Sequence, residues 1–169
     1  LLAMSHSNSA MKGKKRVAVF FGGRSPEHDV SVITGLQILG ALDRSKYDAF
    51  PVYVTPDGAW LTGDILLKRE NYLLNKNARA QAVEVTLDVT AGKTGRLLPK
   101  KSGFLSKAKP IEFDVAIPSF HGLYGEDGQV QGLFEFAGVA YAGMRTMASA
   151  ILMDKAATKK FLQALDIPV

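Results

Sequence analysis

An α/β fold, with helices on both faces of a mostly parallel sheet, is what this sequence predicts, and three observations carry the prediction. Residues 16–21, Arg-Val-Ala-Val-Phe-Phe, are a continuous apolar run rich in β-branched and aromatic residues. That is the pattern of a strand buried on both faces. Gly22-Gly23 end the run, and Val30, Ile33, Leu36 and Leu39 then recur at helical spacing over 29–42. A second apolar run, Phe-Pro-Val-Tyr-Val-Thr, follows at 50–55. Strand, turn, helix, strand is the repeating unit of a doubly wound, Rossmann-like sheet in three layers.

The remaining elements follow in order. Residues 1–15 lack hydrophobic periodicity and read as a disordered leader or tag, with Met4 and Met11 as alternative starts. Ser25-Pro26 reads as a helix cap with a first-turn proline. Pro56-Asp57-Gly58 is a turn, and 59–61 a short strand. Residues 63–110 form an irregular insertion, apart from 83–87, where Val-Glu-Val-Thr-Leu alternates like a half-exposed strand. A buried strand is expected at 113–117, a helix at 129–138, a strand at 139–142 and a short helix at 147–153. Asp154 is placed to cap a last helix, 155–165, which Asp166-Ile167-Pro168 stops.

Composition narrows the class. At 169 residues, 47% hydrophobic and 22% charged, the chain reads as one soluble globular domain with a real core. No apolar run approaches the length of a membrane span, and Leu1-Leu2-Ala3-Met4 is too short for a signal peptide's core. The absence of cysteine excludes disulfides and thiolate chemistry and fits a cytoplasmic protein. The net charge of +5 is not spread. Lys12, Lys14, Lys15 and Arg16 open the chain, and Lys93, Arg96, Lys100, Lys101, Lys107 and Lys109 crowd 93–109 without an acid between them. The rest is net acidic, so there is no basic face with interleaved aromatics and no nucleic-acid partner is expected.

Two loops carry residues suited to chemistry. The first, Gly22-Gly-Arg-Ser-Pro-Glu-His-Asp29, leaves the carboxyl end of the first strand and opens a helix. Ligands of open α/β sheets bind at that edge. Glycines let a ligand approach the backbone, the helix start offers N–H groups to an anion, and Glu27 is a fixed negative charge beside them. Donors plus one carboxylate suit a zwitterion; the plainer alternative is that Ser25 and Glu27 only cap the helix. A dinucleotide would require Gly-x-Gly-x-x-Gly and an acid ending the second strand; here the next glycine is Gly35 and the strand ends at Thr55-Pro56.

The second loop, Ser119-Phe-His-Gly-Leu-Tyr-Gly-Glu-Asp-Gly128, also follows a buried strand and is expected at the same edge. Its glycines, Gly122, Gly125 and Gly128, mark a tight backbone, and His121 is a potential donor or proton carrier. Alternatively, Glu126 and Asp127 cap the next helix and His121 is structural. His28, Asp29, His121, Glu126 and Asp127 are ligand types without metal-site spacing, and no Gly-x-Ser-x-Gly elbow is present. No metal site is expected in this chain.

Three segments together resemble one family. Residues 19–31, Val-Phe-Phe-Gly-Gly-Arg-Ser-Pro-Glu-His-Asp-Val-Ser, resemble the opening motif of the D-alanine–D-alanine ligases. Residues 121–128, His-Gly-Leu-Tyr-Gly-Glu-Asp-Gly, with Gln131-Gly-Leu after them, resemble the second motif; Met147-Ala-Ser-Ala150 and Met153-Asp-Lys155 resemble the third. The resemblance covers about residues 16–169. It implies a pre-ATP-grasp, substrate-binding domain over 16–144 and the beginning of an ATP-grasp domain over 145–169, the remainder of which follows Val169. It implies joining of two D-alanines for peptidoglycan through an acyl phosphate, using ATP and Mg2+ whose ligands lie beyond residue 169. By the same resemblance Glu27 and His121 are catalytic, Glu27 holding the substrate ammonium and His121 lying beside its carboxylate. Val30 and Ser31 shape the pocket wall; Gly22, Gly23, Gly122, Gly125, Glu126 and Gly128 support the loops; Lys155 meets an ATP phosphate. A homodimer is the implied assembly, no membrane is involved, and the chain alone is expected to be inactive. The alternative is a non-catalytic module of the same fold that binds an amino acid.

Overall fold

The computed structural model describes residues 13–72, 76–90, 94–100 and 109–169. The leader expected over 1–15 lies outside them as far as residue 12, as do Lys93, Lys101 and Lys107 of the basic segment. Seven strands and five helices are described: β1 (Lys15–Gly22), α1 (His28–Ala41), β2 (Tyr47–Val54), β3 (Trp60–Thr62), α2 (Lys76–Gln81), β4 (Val83–Leu87), β5 (Gly95–Pro99), β6 (Ile111–Phe113), β7 (Val115–Pro118), α3 (Gln129–Phe136), α4 (Thr146–Met153) and α5 (Lys155–Gln163). Two 3-10 turns, Asp64–Leu67 and Arg69–Tyr72, lie between β3 and α2.

The strands make one sheet in the order β6-β5-β4-β3-β2-β1-β7. β1 pairs in parallel with β2 and β7, as buried strands joined by crossovers should. The other pairings, β2 to β3 and onward to β6, are antiparallel. The α/β class therefore holds, but the expectation of a mostly parallel sheet is corrected to a mixed one. Its parallel part is the β2-β1-β7 nucleus; in the antiparallel extension the strand expected at 83–87 is β4, and the surrounding segment expected to be irregular adds β5.

The strand expected at 113–117 divides at Asp114 into β6 and β7, which occupy opposite ends of the sheet order. Consecutive Cα atoms are about 3.8 Å apart. The sheet must therefore curl until its two ends meet at Asp114. The Asp114 carboxylate pins the junction by accepting the Arg16 N–H at 2.7 Å and the Lys15 ammonium at 3.2 Å. The strand expected at 139–142 shrinks to a single bridge between Ala116 and Tyr141.

Alternation along β1 separates two cores. Ala18 and Phe20 enter a cluster with Val52, Val85, Leu97, Phe113 and Phe134, inside the curl and under α3. Phe20 is fully buried, and its ring meets Trp60, Phe113 and Phe134 edge-on at centroid distances of 5.6, 5.8 and 5.0 Å. Val17, Val19 and Phe21 face the other way and bury Val32 and Leu39 of α1. Layers thus lie on both sides of β1, and both clusters anchor the strand whose carboxyl end carries the first loop.

Candidate functional site

Gly22 and Gly23 turn the chain out of β1 with φ of 93° and 95°, a region open to glycine at little cost. Gly23 N–H donates to the Val54 carbonyl at 2.7 Å, which binds the first loop to the end of β2. On the other flank Ser119 N–H donates to the Phe20 carbonyl at 2.8 Å, so the second loop leaves the sheet beside the first.

Ser31, in the first turn of α1, joins the two loops. Its hydroxyl donates to the Ser119 carbonyl and accepts the Gly22 N–H, both at 2.8 Å, and the residue has no exposed surface. A side chain so enclosed does not form a wall open to a ligand; Ser31 shapes the site by holding the backbone on both sides of it. Val30, its neighbour, is half exposed.

The cap expected at Ser25 forms differently. Ser25 Oγ accepts the Glu27 N–H at 3.1 Å, and the Ser25 carbonyl accepts the His28 N–H at 3.0 Å, which closes a separate turn before the helix. Glu27 occupies the N-cap position of α1 without a side-chain cap bond. Its carboxylate lies instead against the second loop: a Cβ placed on Gly122 would stand 2.6 Å from Glu27 Oε1 and 2.7 Å from Ser25 Oγ. Only a residue without a side chain allows that approach, and Gly122 also has a φ of 73°. The helix start consequently presents uncapped N–H groups next to a carboxylate not engaged in capping.

Acids within the second loop order it. Glu126 Oε2 accepts the Gly122 N–H at 2.6 Å while the Glu126 N–H donates to the Gly122 carbonyl at 3.0 Å. Asp127 accepts the Tyr124 and Gln129 N–H groups at 2.8 and 3.2 Å, linking the loop to the start of α3. Tyr124 takes φ of 70°, a strained value for a residue with a side chain. Gly125 is buried against Phe120, and Gly128 precedes α3 with φ of 92°.

His121 docks onto α1, its Nε2 lying 2.9 Å from Thr34 Oγ1. The Thr34 hydroxyl proton goes to the Val30 carbonyl at 3.0 Å, so Nε2 is the donor and carries the ring proton. The opposite nitrogen, Nδ1, remains available. Thr34 was not singled out in the sequence; its spacing of one helical turn from Val30 is the signal that places it on the loop-facing side.

A cavity of about 310 Å3 opens between the loops and the β2–β3 turn. Gly22, Gly23, His121 and Gly125 line it, together with Arg24, Trp60, Phe120 and Leu133, which the sequence reading did not select. Trp60 arrives there because the turn over 55–59 returns β3 antiparallel to β2, with Trp60 paired to Val54. Of the residues expected to bind, Glu27, Val30 and Ser31 do not line this cavity, and neither does Lys155, exposed at the start of α5. Among the described residues no group of three or more His, Cys, Asp or Glu is arranged to hold a metal. Among them, too, no helix is long and apolar enough to cross a membrane.

Comparison with known proteins bears on this geometry. The family model described as "D-ala D-ala ligase N-terminus" matches residues 16–144. The D-alanine–D-alanine ligase of Rhodococcus jostii (strain RHA1) is 41% identical over 162 residues, covering 94% of this chain and 43% of the relative. The solved VanG D-Ala:D-Ser ligase of Enterococcus faecalis superposes with a TM-score of 0.76 at 28% identity, over 93% of this chain and 43% of that one. The Bacillus anthracis D-alanine–D-alanine ligase complexed with ATP matches with a TM-score of 0.53 at 28% identity, over 90% and 36% respectively. The chain spans less than half the length of the relatives it matches.

Proposed function

Because the chain belongs to the D-alanine–D-alanine ligase N-terminal family, we propose that it is the substrate-binding portion of an ATP-dependent ligase that makes D-alanyl-D-alanine for peptidoglycan. The observation that carries the reading is the Glu27 carboxylate lying against Gly122, beside the uncapped start of α1. A fixed anion next to free N–H donors is complementary to a small zwitterion. Glu27 holds the ammonium of the first D-alanine. Helix N–H groups and His121 face its carboxylate.

Each residue's task follows from its bonds. His121 is held by Thr34 through Nε2, which leaves the Nδ1 side of the ring for the ligand. Ser31, Glu126 and Gly122 keep the two loops in register, which places the reacting carboxylate at little entropic cost during the reaction. ATP, when bound, supplies the phosphoryl group that activates the first carboxylate as an acyl phosphate for attack by the second amine. Lys155 fits a phosphate contact, being an exposed cation at the start of a helix. A cytoplasmic setting and pairing into a homodimer belong to the same reading. Half-exposed Val30 and Ile33 on α1 offer an apolar patch for pairing, and sedimentation equilibrium decides it.

The test is D-alanine-dependent phosphate release from ATP with L-alanine as control, on this chain and on the polypeptide continued through its reading frame. Release by the longer form alone supports the ligase reading. A reading frame that stops at Val169, or a longer form silent with D-alanine, replaces it with the amino-acid-binding module.

A further inference from the structure

His28 and Asp29 stand in the first loop's motif without a part in the ligand contacts, yet they form a continuous hydrogen-bond chain with Tyr53 of β2. His28 Nδ1 lies 2.9 Å from Asp29 Oδ1, and His28 Nε2 lies 2.9 Å from the Tyr53 hydroxyl. A carboxylate only accepts, so Nδ1 carries the ring proton; Nε2 of the neutral ring is then a bare acceptor, and the phenol donates to it. Burial, reinforced by the charges of Asp29 and Asp57, pushes the Tyr53 phenol up to about 12, so it keeps its proton at neutral pH. Arg79 opposes that shift and is itself paired with Asp57 at 3.0 Å.

The Tyr53 ring is fixed from behind. It meets Tyr72 at a right angle with centroids 4.9 Å apart and Phe21 at 6.0 Å. Tyr72 in turn donates its hydroxyl proton to the Leu66 carbonyl at 2.6 Å. In front, a Cβ on Gly22 would come within 2.8 Å of the Tyr53 ring. Tyr53 therefore touches the turn at both ends, Gly22 through its ring and His28 through its hydroxyl, and Glu27 immediately precedes His28.

We propose that Tyr53 is a positioning residue: through His28 it fixes the first turn of α1 and so aims the Glu27 carboxylate at the cleft beside Gly122. The proposal rests on the reading of Glu27 as the ammonium partner. Aromatic packing alone requires the ring and not the hydroxyl, so Tyr53→Phe separates the two roles.

The experiment is nuclear magnetic resonance on the 15N-labelled chain, parent and Tyr53→Phe, with thermal melting to establish that both fold. In the parent the His28 ring shows a single tautomer protonated on Nδ1. In Tyr53→Phe the Nε2 signal moves toward that of an unbonded nitrogen, and the Gly122 amide shifts. D-alanine affinity falls roughly five-fold, the worth of one hydrogen bond. Unchanged affinity in Tyr53→Phe, or a parent ring protonated on Nε2, overturns the proposal. If the parent shows no response to D-alanine, the ligand reading of Glu27 falls instead. The positioning claim is then decided by the Gly122 amide, which moves if the claim holds and stays put if it does not.

Discussion

Ser31 uses both capacities of one hydroxyl on main-chain groups of two loops that are far apart in sequence. Ser31→Ala would leave the buried Gly22 N–H and Ser119 C=O without that partner, and the expected loss of stability is about 1–3 kcal/mol by urea unfolding. Asp88 offers a pH test. Hydrogen bonds from Thr90, then the Arg96 guanidinium, lower its carboxyl from 3.8 to about 2. A depressed folded-state value stabilises above the unfolded one, so that contribution is complete above about pH 3.8 and is lost as pH falls toward 2. Acid unfolding of the parent should show this window, and Asp88→Asn should lack it. At this scale the motifs marked Glu27, His121 and the glycines. They could not mark Thr34 or Tyr53, whose contacts with His121 and His28 exist only because α1 and β2 are folded against the loops.

Among the elements, β1 and α1 were legible because burial on both faces writes an unbroken apolar run, and a helix writes its own period. β5 was not: Gly-Arg-Leu-Leu-Pro over 95–99 sets two leucines side by side in place of an alternation, and it sits among lysines and glycines. The division of one apolar run into β6 and β7 depends on Asp114 bonding Arg16, a partner remote in sequence. Close packing between α1 and β1 gives a further prediction. An added Cβ on Gly35 overlaps the Phe21 ring, so Gly35→Ala should destabilise by roughly 1–3 kcal/mol despite its higher helix propensity. Thermal melting reads the sign: propensity alone predicts stabilisation, overpacking the reverse. Asp154, whose carboxylate accepts the Ala156 and Ala157 N–H groups at 2.8 and 2.9 Å, was legible as a cap, and Asp154→Ala should reduce stability by about 1 kcal/mol.

For the molecule as a whole, the curl of the sheet brings order to the site. Because β1 lies between β2 and β7, its carboxyl end has one loop on each side, and α1 is clamped to both. Convergence of the two loops was foreseeable from two buried strands, each followed by a glycine-rich turn. The turn and short strand that bring Trp60 to the cavity were legible too, but the pairings that extend the sheet beyond β4 were not, since they span the segment with the weakest local pattern. On the proposed reading these loops hold a small zwitterion through Glu27. The most direct measurement is a D-alanine titration of this chain followed at the Gly23 and Gly122 amides, with L-alanine and the Glu27→Gln variant alongside. Saturable shifts are expected at both amides for D-alanine, weaker ones for L-alanine, and none in Glu27→Gln. Equal responses to both enantiomers, or an undiminished response in Glu27→Gln, would contradict it.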